Sequence, residues 1–187
     1  MDATAMRRKI TEAAIATIAA EGVGASTAAM AKLGGLAQGS IFHHYETKAG
    51  LLNAVYRQLK EELRAAVMVP PPSAASSSDD EQLRAVWERW IAWGTVHAER
   101  RRALNALNAS EIITSTSRDA AERDIAAGVD LFTRMAAKGP LAGLPIQFTG
   151  ALVEAVAGAT MDAMLRDPEA AADYRDRGFD ALKNMLR

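Results

Sequence analysis

One segment constrains the fold of this chain more than any other, because residues 26 to 48 place two short helical patterns on either side of a pair of glycines. The first pattern begins at Ser26 or Thr27, whose hydroxyl groups can cap a helix, and it puts Met30 and Leu33 on one face. The glycines end it, since Gly35 can adopt positive φ without the strain of a Cβ atom. The spacing predicts a helix-turn-helix.

The second pattern covers Ala37 to His44 and is expected to bury Leu36, Ile41 and Tyr45. Its outward face is predicted to contain no long apolar residue and no acid, and to consist of Gln38, Gly39, Ser40, His43 and His44. A helix that enters the major groove needs small residues for close approach and side chains that donate to bases and phosphates. DNA binding is therefore the favoured interpretation, and a plain corner between two helices is the alternative.

The same segment resembles the DNA-binding signature of TetR-family transcriptional repressors. In that signature a Thr-x-x-hydrophobic-Ala run precedes a small-Gly-hydrophobic turn, which is followed by a Gly, an aromatic residue, a His, a second aromatic residue and a Lys. The matching residues are Thr27, Met30, Ala31, Gly34, Gly35, Leu36, Gly39, Phe42, His44, Tyr45 and Lys48. The match extends over residues 10 to 63. It departs from the family at Ala37, which replaces a Ser, at Phe42, which replaces a Tyr, and at Ala49-Gly50, which replace acidic residues.

The resemblance implies a homodimer whose two recognition helices enter successive major grooves of a palindromic double-stranded DNA operator. We expect Gln38 and Ser40 to read base edges, while Thr27, His44 and Lys48 hold phosphates. Lys48 is expected to open the next helix, where free backbone amides also favour a phosphate. The complete set of predicted DNA-binding residues is Thr27, Gln38, Gly39, Ser40, Phe42, His43, His44 and Lys48.

Composition favours an all-α protein without a metal or catalytic centre, because alanine is abundant and long Val/Ile/Thr alternation is scarce. Hydrophobic residues make up 49% and charged residues 24% of the 187 residues, which is typical of a globular protein. The chain has no cysteine, which excludes disulfides and thiolate metal sites. Its three histidines, His43, His44 and His97, lack the HExxH spacing of a zinc site. We therefore expect no metal, no cofactor and no catalytic residues.

Charge is divided unevenly along the chain. Residues 1 to 68 carry eight Lys and Arg against six Asp and Glu, a balance of +2 within a net charge of −1. The sign agrees with an N-terminal DNA-binding end. Arg7, Arg8 and Lys9 precede an amphipathic stretch instead of the apolar core of a signal peptide, so we expect a cytoplasmic protein.

We predict about nine helices in two functional domains. Residues 1–50 form the helix-turn-helix DNA-binding domain, whose first helix is expected to bury Ile10, Ala14, Ile15 and Ile18. A connecting helix at 47–67 follows, with Thr47 as its cap and with an inward face formed by Leu51, Leu52, Val55, Tyr56, Leu59 and Leu63. Residues 51–187 form a larger α-helical ligand-binding and dimerisation domain. This second domain contains a Pro- and Ser-rich loop at 69–78, where three consecutive prolines cannot continue a helix.

The helix after that loop is expected to open with a capping box between Ser78 and Glu81. It contains all three tryptophans, and we expect them to share a broad face with His97. A wide aromatic wall with one imidazole suits a small apolar or aromatic effector, although the same residues could simply be core. The predicted ligand-pocket residues are Trp87, Trp90, Trp93, His97, Phe132, Met135, Met161 and Met164.

The last two helices are predicted to form a four-helix dimer interface. The predicted interface residues are Gly150, Val153, Ala157, Tyr174, Gly178, Leu182 and Met185. The run from Leu141 to Met161 is apolar enough to suggest a membrane span, but Glu154 interrupts it. A buried interface helix is the better interpretation, and no membrane partner is expected.

Together these features predict a ligand-responsive transcriptional repressor, not an enzyme. The principal alternative is a DNA-binding helical protein without an effector. A helical small-molecule-binding protein or enzyme is a weaker alternative. Of the three histidines, only His97 lies outside the predicted DNA-binding module, which leaves few residues for a catalytic site.

Overall fold

The computed structural model describes residues 2–68, 78–123, 126–137 and 139–187, and the regular structure within these ranges is entirely helical. The ten α-helices are α1 (Ala3–Glu21), α2 (Thr27–Leu33), α3 (Gln38–Tyr45), α4 (Lys48–Val67), α5 (Asp79–Val96), α6 (Ala98–Asn108), α7 (Ser115–Arg123), α8 (Ala126–Ala136), α9 (Ile146–Arg166) and α10 (Ala171–Leu186). A short 3-10 helix, Pro168–Ala170, precedes α10. The predicted all-α fold is confirmed. The loop predicted at 69–78 lies outside the described residues except for Ser78.

The chain forms two compact units, one comprising Met1–Glu62 and His97–Asp124 and the other Leu63–Val96 and Ile125–Arg187. This division does not follow the predicted boundary at residue 50, because α6 packs along α1 in the first unit. Compactness does not identify the residues that bind DNA, so the functional boundary stays a prediction.

The first unit is organised around α1 and α4. Ile10, Ala14, Ile15 and Ile18 of α1 are each at most 2% exposed, at the three- and four-residue spacing that the sequence predicts. Of the α4 residues predicted to face inward, Leu63 is only half-buried, and the others are buried, namely Leu51, Leu52, Val55, Tyr56 and Leu59. This core supports α2, which packs against α1, and α3, which packs against α2.

The second unit has its own core, formed by α5, α8, α9 and α10. The predicted capping box opens α5: the Ser78 N–H donates to the Glu81 carboxylate at 2.7 Å, and the Glu81 N–H donates back to Ser78 Oγ at 3.3 Å. The hydrogen bond that the Ser78 N–H donates, and after it the one that the Ser78 hydroxyl donates at 3.0 Å, lower the pKa of the Glu81 carboxyl group. The helix therefore starts where the sequence predicts.

One described helix, Ile146–Arg166, could cross a membrane by length and composition alone. Its buried residues are Thr149, Val153, Ala157, Thr160 and Met161. They form one face, against which α5 and α10 pack. The opposite face is exposed and carries Glu154 and Asp162 among small residues.

Candidate nucleic-acid interface

Helix α2 begins as the sequence predicts. Ser26 is the N-cap residue, and its side chain accepts a hydrogen bond from the Ala29 N–H at 3.0 Å. Met30 and Ala31 are buried, which fixes the helix against the first unit. Thr27, a predicted phosphate contact, is the first helical residue and is half-buried.

The two glycines after α2 are required for different reasons. Gly35 has φ of +56°, and its N–H and that of Leu36 bond the Lys32 and Ala31 carbonyls, which is the Schellman arrangement. Gly34 has ordinary φ, but a Cβ atom there would lie 2.9 Å from the Ala13 Cβ of α1. The pair therefore both turns the chain and lets α2 approach α1.

Helix α3 separates a buried face from an exposed one. Ile41 is 1% exposed and holds the helix to the core. Gly39, Phe42 and His43 are exposed, whereas Ser40 is half-buried. The prediction that the outward face has no long apolar residue was wrong, because Phe42 is 41% exposed. The side chain of Gln38, predicted to read base edges, lies outside the described side chains.

Two histidines lie side by side at the end of α3. The rings of His43 and His44 meet edge to face, with 5.2 Å between their centroids. His43 is exposed and His44 is half-buried, so both imidazoles retain some access to solvent.

Arg7 connects α1 to this end of α3. Its guanidinium donates to the His44 carbonyl at 3.3 Å and lies 5.4 Å from the centre of the Tyr45 ring. Burial raises the pKa of Tyr45, and the nearby Arg7 charge opposes that rise. Arg7 is therefore held beside α3 while its side chain remains exposed.

The corner between α3 and α4 is strained. Glu46 has φ of 57° and ψ of −48°, and the Thr47 N–H bonds the Tyr45 carbonyl, which together make a γ-turn. Positive φ in a residue with a Cβ atom is uncommon. Nothing in the sequence around Glu46 indicates this conformation, and it was not predicted.

Gly50 is the residue that lets the corner close. A Cβ atom at Gly50 would lie 2.6 Å from the Tyr45 carbonyl oxygen. The Gly50 N–H donates to Thr47 Oγ1 at 2.9 Å, which confirms Thr47 as the cap of α4. At this departure from the family pattern, the local geometry leaves no room for a side chain. Lys48, the first residue of α4, is half-buried.

Asn53 forms a polar contact that sequence reasoning missed. Its amide NH₂ donates to the Ile112 carbonyl at 2.9 Å, and its carbonyl oxygen accepts from the Thr114 N–H at 3.0 Å. The side chain also donates to the Ala49 carbonyl, so an amide that is 7% exposed is well bonded. The feature of the sequence that could have revealed this contact is a polar residue on the inward face of α4. Asn53 fastens the loop after α6 to the first half of α4.

Arg100 joins three helices of the same unit. Its guanidinium donates to Glu12 of α1 at 2.7 Å and lies 3.2 Å from Glu62 of α4. Burial alone would lower the pKa of Arg100, but the hydrogen bond to Glu12 and the neighbouring carboxylates raise it overall. The bridge is only partly exposed and helps to fix α4 against α1.

The predicted pocket residues differ in burial: some are buried in the core of the second unit, and others are partly or fully exposed. Trp87 is fully buried, and its indole N–H donates to the Arg175 carbonyl at 3.0 Å, so it is a satisfied core residue. Met135 and Met161 belong to the same core, whereas Trp90, Phe132 and Met164 are partly buried around it. Trp93 is buried as well. Helix α5 ends at Val96, so His97 does not continue its face and is exposed.

Most of the predicted interface residues serve packing within the chain. Val153, Ala157 and Leu182 are at most 3% exposed and belong to the core of the second unit. A Cβ atom at Gly178 would collide with Thr160 and lie 2.9 Å from the Trp87 ring. Gly150 is exposed, and Tyr174 and Met185 are half-buried. Contact of the seven residues with a second subunit stays a prediction.

Comparison with known proteins agrees with this arrangement. Residues 10–55 match the family model for bacterial regulatory proteins of the tetR family. A structure assigned to the tetR family of transcription regulators from Shewanella sp. PV-4 superposes with a TM-score of 0.82 at 23% identity, covering 96% of each chain. A TetR family transcription regulator from Marinobacter aquaeolei VT8 gives 0.72 at 20% identity, over 98% of this chain and 94% of that one.

A third structure was solved with a small molecule. The TetR-like transcriptional regulator LfrR from Mycobacterium smegmatis, in complex with proflavine, superposes with a TM-score of 0.67 at 20% identity, over 95% of this chain and 94% of that one. At these identities the likeness shows a shared fold.

Proposed function

We propose that the chain is a TetR-family transcriptional regulator, a cytoplasmic repressor that binds a palindromic operator as a homodimer; the match of residues 10–55 to the tetR family model and the shared fold support this. A small apolar or aromatic effector releases it from the DNA. Proteins of this family are regulators, not enzymes, so no catalytic step is assigned to any residue.

One observation carries the DNA-binding part of the proposal: α3 is anchored by Ile41 while Gly39, Phe42 and His43 remain exposed on its other side. A glycine on the exposed face removes side-chain bulk, which suits close approach to a groove. Arg7 lies beside the end of α3 and adds positive charge.

Within this interface the residues have different roles. Gln38 and Ser40 read base edges, while Thr27, His44 and Lys48 hold phosphates. Lys48 is supported by its place at the first turn of α4, where backbone amides and the positive end of the helix dipole favour an anion. These contacts set register on the DNA.

Dimerisation is proposed through the exposed face of α9. Ala151, Ala155 and Ala159 are exposed along this face, and Phe148 and Leu165 are 49% and 44% exposed. Small residues permit close helix approach, and the large apolar side chains gain from burial. A two-fold interface of this kind would present two recognition helices about 34 Å apart, one helical turn of DNA.

Effector binding is proposed near Trp90, Phe132 and Met164, which are partly buried around the core of the second unit. The proflavine complex of the similar LfrR structure supports an aromatic ligand. To shift the dimer from 1:99 to 99:1 between its two states, the effector must prefer the released state by about 5.5 kcal/mol.

The test begins with selection of bound duplexes from random DNA. Lys48→Ala should weaken binding to every sequence and lower the slope of log affinity against log salt by about 1, because one phosphate contact is lost. Gln38→Ala should instead relax base preference. Arg177→Ala on α10 removes the same charge from an exposed ion pair with Asp173 and serves as the control. Equal behaviour of Lys48→Ala and the control would contradict the assignment.

A repressor without an effector is the second candidate, and the burial of Trp87, Met135 and Met161 in the core favours it. Proflavine, tested without DNA, separates the two. An effector site predicts a rise in melting temperature that Trp90→Ala reduces. No rise with proflavine or with a panel of other flat aromatic compounds would favour the second candidate.

A further inference from the structure

We infer that Phe42 reads thymine, by placing its ring against the C5 methyl group of a thymine in the major groove beside the bare backbone of Gly39. The inference rests on the proposed DNA-binding function and names a base contact within that interface. It assigns to Phe42 a role that its lack of a hydroxyl group would otherwise leave unexplained.

The position of Phe42 is the first support. It is 41% exposed on a helix whose neighbouring residue, Ile41, is 1% exposed. Residues 39, 42 and 43 are spaced by three and four positions, so they share one face of α3. A large hydrocarbon ring thus stands on the surface that is proposed to meet DNA.

The chemistry of the ring is the second support. Phenylalanine has no group that can hydrogen-bond a phosphate or a base edge, so its favourable contact must be apolar. The base edges of the major groove offer one apolar group, the C5 methyl of thymine, and phenylalanine is a known type of partner for it. The chemistry therefore points to thymine and away from the other three bases.

Gly39 makes the approach possible. Beyond its own neighbours in the helix, no described atom would lie within 4 Å of a Cβ atom at Gly39, so its surroundings are open. The glycine is therefore not required by packing within the protein. Its absent side chain leaves room for a base edge on the face that carries Phe42.

The experiment replaces each thymine of a selected duplex, one at a time, by deoxyuridine, which lacks only the C5 methyl. Loss of one buried methyl group corresponds to about a fourfold fall in affinity. The wild type should show this fall at one thymine position in each half-site. Phe42→Ala should bind more weakly but show no further fall at that position, and Phe42→Tyr, which keeps the ring, should retain the methyl sensitivity.

The control is His43→Ala, which removes an exposed ring from the same face and should leave the methyl sensitivity intact. A cooperative unfolding transition in urea shows that each variant is folded before DNA is added. If the wild type and Phe42→Ala respond alike to every deoxyuridine, the inference is overturned while the DNA-binding function stands. If the wild type binds no duplex selectively, the proposed function fails and the inference fails with it.

Discussion

Helices α3 and α5 both carry aromatic side chains, and they place them in opposite environments. Phe42 of α3 is 41% exposed, whereas Trp87 of α5 is fully buried, lies 6.4 Å from Phe179 between ring centroids, and bonds a backbone carbonyl. An aromatic ring that is enclosed and hydrogen-bonded stabilises the fold. A ring left at the surface of a helix that has a separate buried anchor is available for a partner. The same residue class therefore has a structural role in one helix and a proposed binding role in the other.

Glycines show the same contrast. Gly178 is enclosed, since a Cβ atom there would meet Thr160 and Trp87, whereas the surroundings of Gly39 are open. Close packing explains the first glycine completely. It does not explain the second, which is why its role is sought outside the chain.

The largest effect is expected from Trp87→Ala. Removing this ring leaves a cavity in the core and deletes the hydrogen bond to the Arg175 carbonyl, so the free energy of unfolding should fall by about 3–5 kcal/mol. Phe42→Ala should change it by less than about 1 kcal/mol. Urea unfolding of both variants tests this difference between the two rings. Equal losses in the free energy of unfolding would show that the two rings contribute equally to stability.

Gly178→Ala should have the next largest effect. The added methyl group must displace Thr160 or the Trp87 ring, and overpacking of this kind costs about 1–3 kcal/mol. Gly158→Ala on α9 provides the matched control, because no described atom outside its own helix would lie within 4 Å of the new Cβ atom. A stable Gly178→Ala protein would show that the α9–α10 contact is looser than described.

Gly50→Ala tests the corner that orients α3. Its Cβ atom would press on the Tyr45 carbonyl, so we expect a loss of about 1–2 kcal/mol in the free energy of unfolding and weaker DNA binding through a displaced α3. Ala49→Gly, at the neighbouring position, should leave α3 in place. Unchanged DNA affinity in Gly50→Ala would mean that the corner does not set the orientation of the recognition helix.

The smallest effect concerns the start of α5. The hydrogen bond from Lys183, and then the nearby charges, lower the pKa of Asp80, which also pairs with Arg187. A carboxyl group with a lowered folded-state pKa contributes stability above its unfolded pKa of about 3.9, and that contribution disappears as the pH falls through the folded value. Asp80→Asn should therefore cost at most about 1 kcal/mol near neutral pH, and the difference from wild type should shrink in acid. A difference that does not change with pH would contradict this role.

Local chemistry explains what the sequence could predict. The Ser26 cap, the Gly35 turn and the Ser78–Glu81 capping box depend on residue types within a few positions of one another, and all three are present. The spacing of apolar residues likewise predicted the buried stripes of α1 and α4, because helical periodicity alone determines which residues share a face.

Tertiary contacts explain what the sequence could not predict. Periodicity groups residues on a face but does not say what covers that face. The exposed face of α3 was therefore predicted without Phe42, and the prediction for Trp87 left a pocket and a core environment as alternatives. A Cβ atom at Gly178 would meet Trp87, a residue far away in sequence, and no spacing pattern reveals this proximity. The γ-turn at Glu46 likewise follows from how α3 and α4 are held, not from a turn-forming residue.

The central claim is that the exposed face of α3 contacts DNA, and Gly39→Ala tests it most directly. Alanine favours a helix more than glycine does and meets no described atom beyond the helix, so the free energy of unfolding should stay the same or rise by about 0.5 kcal/mol. Affinity for a selected duplex is measured in parallel by fluorescence anisotropy. If this face contacts DNA, the new methyl group should clash with the duplex and affinity should fall by about tenfold or more, which corresponds to at least about 1.4 kcal/mol. A folded Gly39→Ala protein that binds the duplex as tightly as wild type would contradict the account.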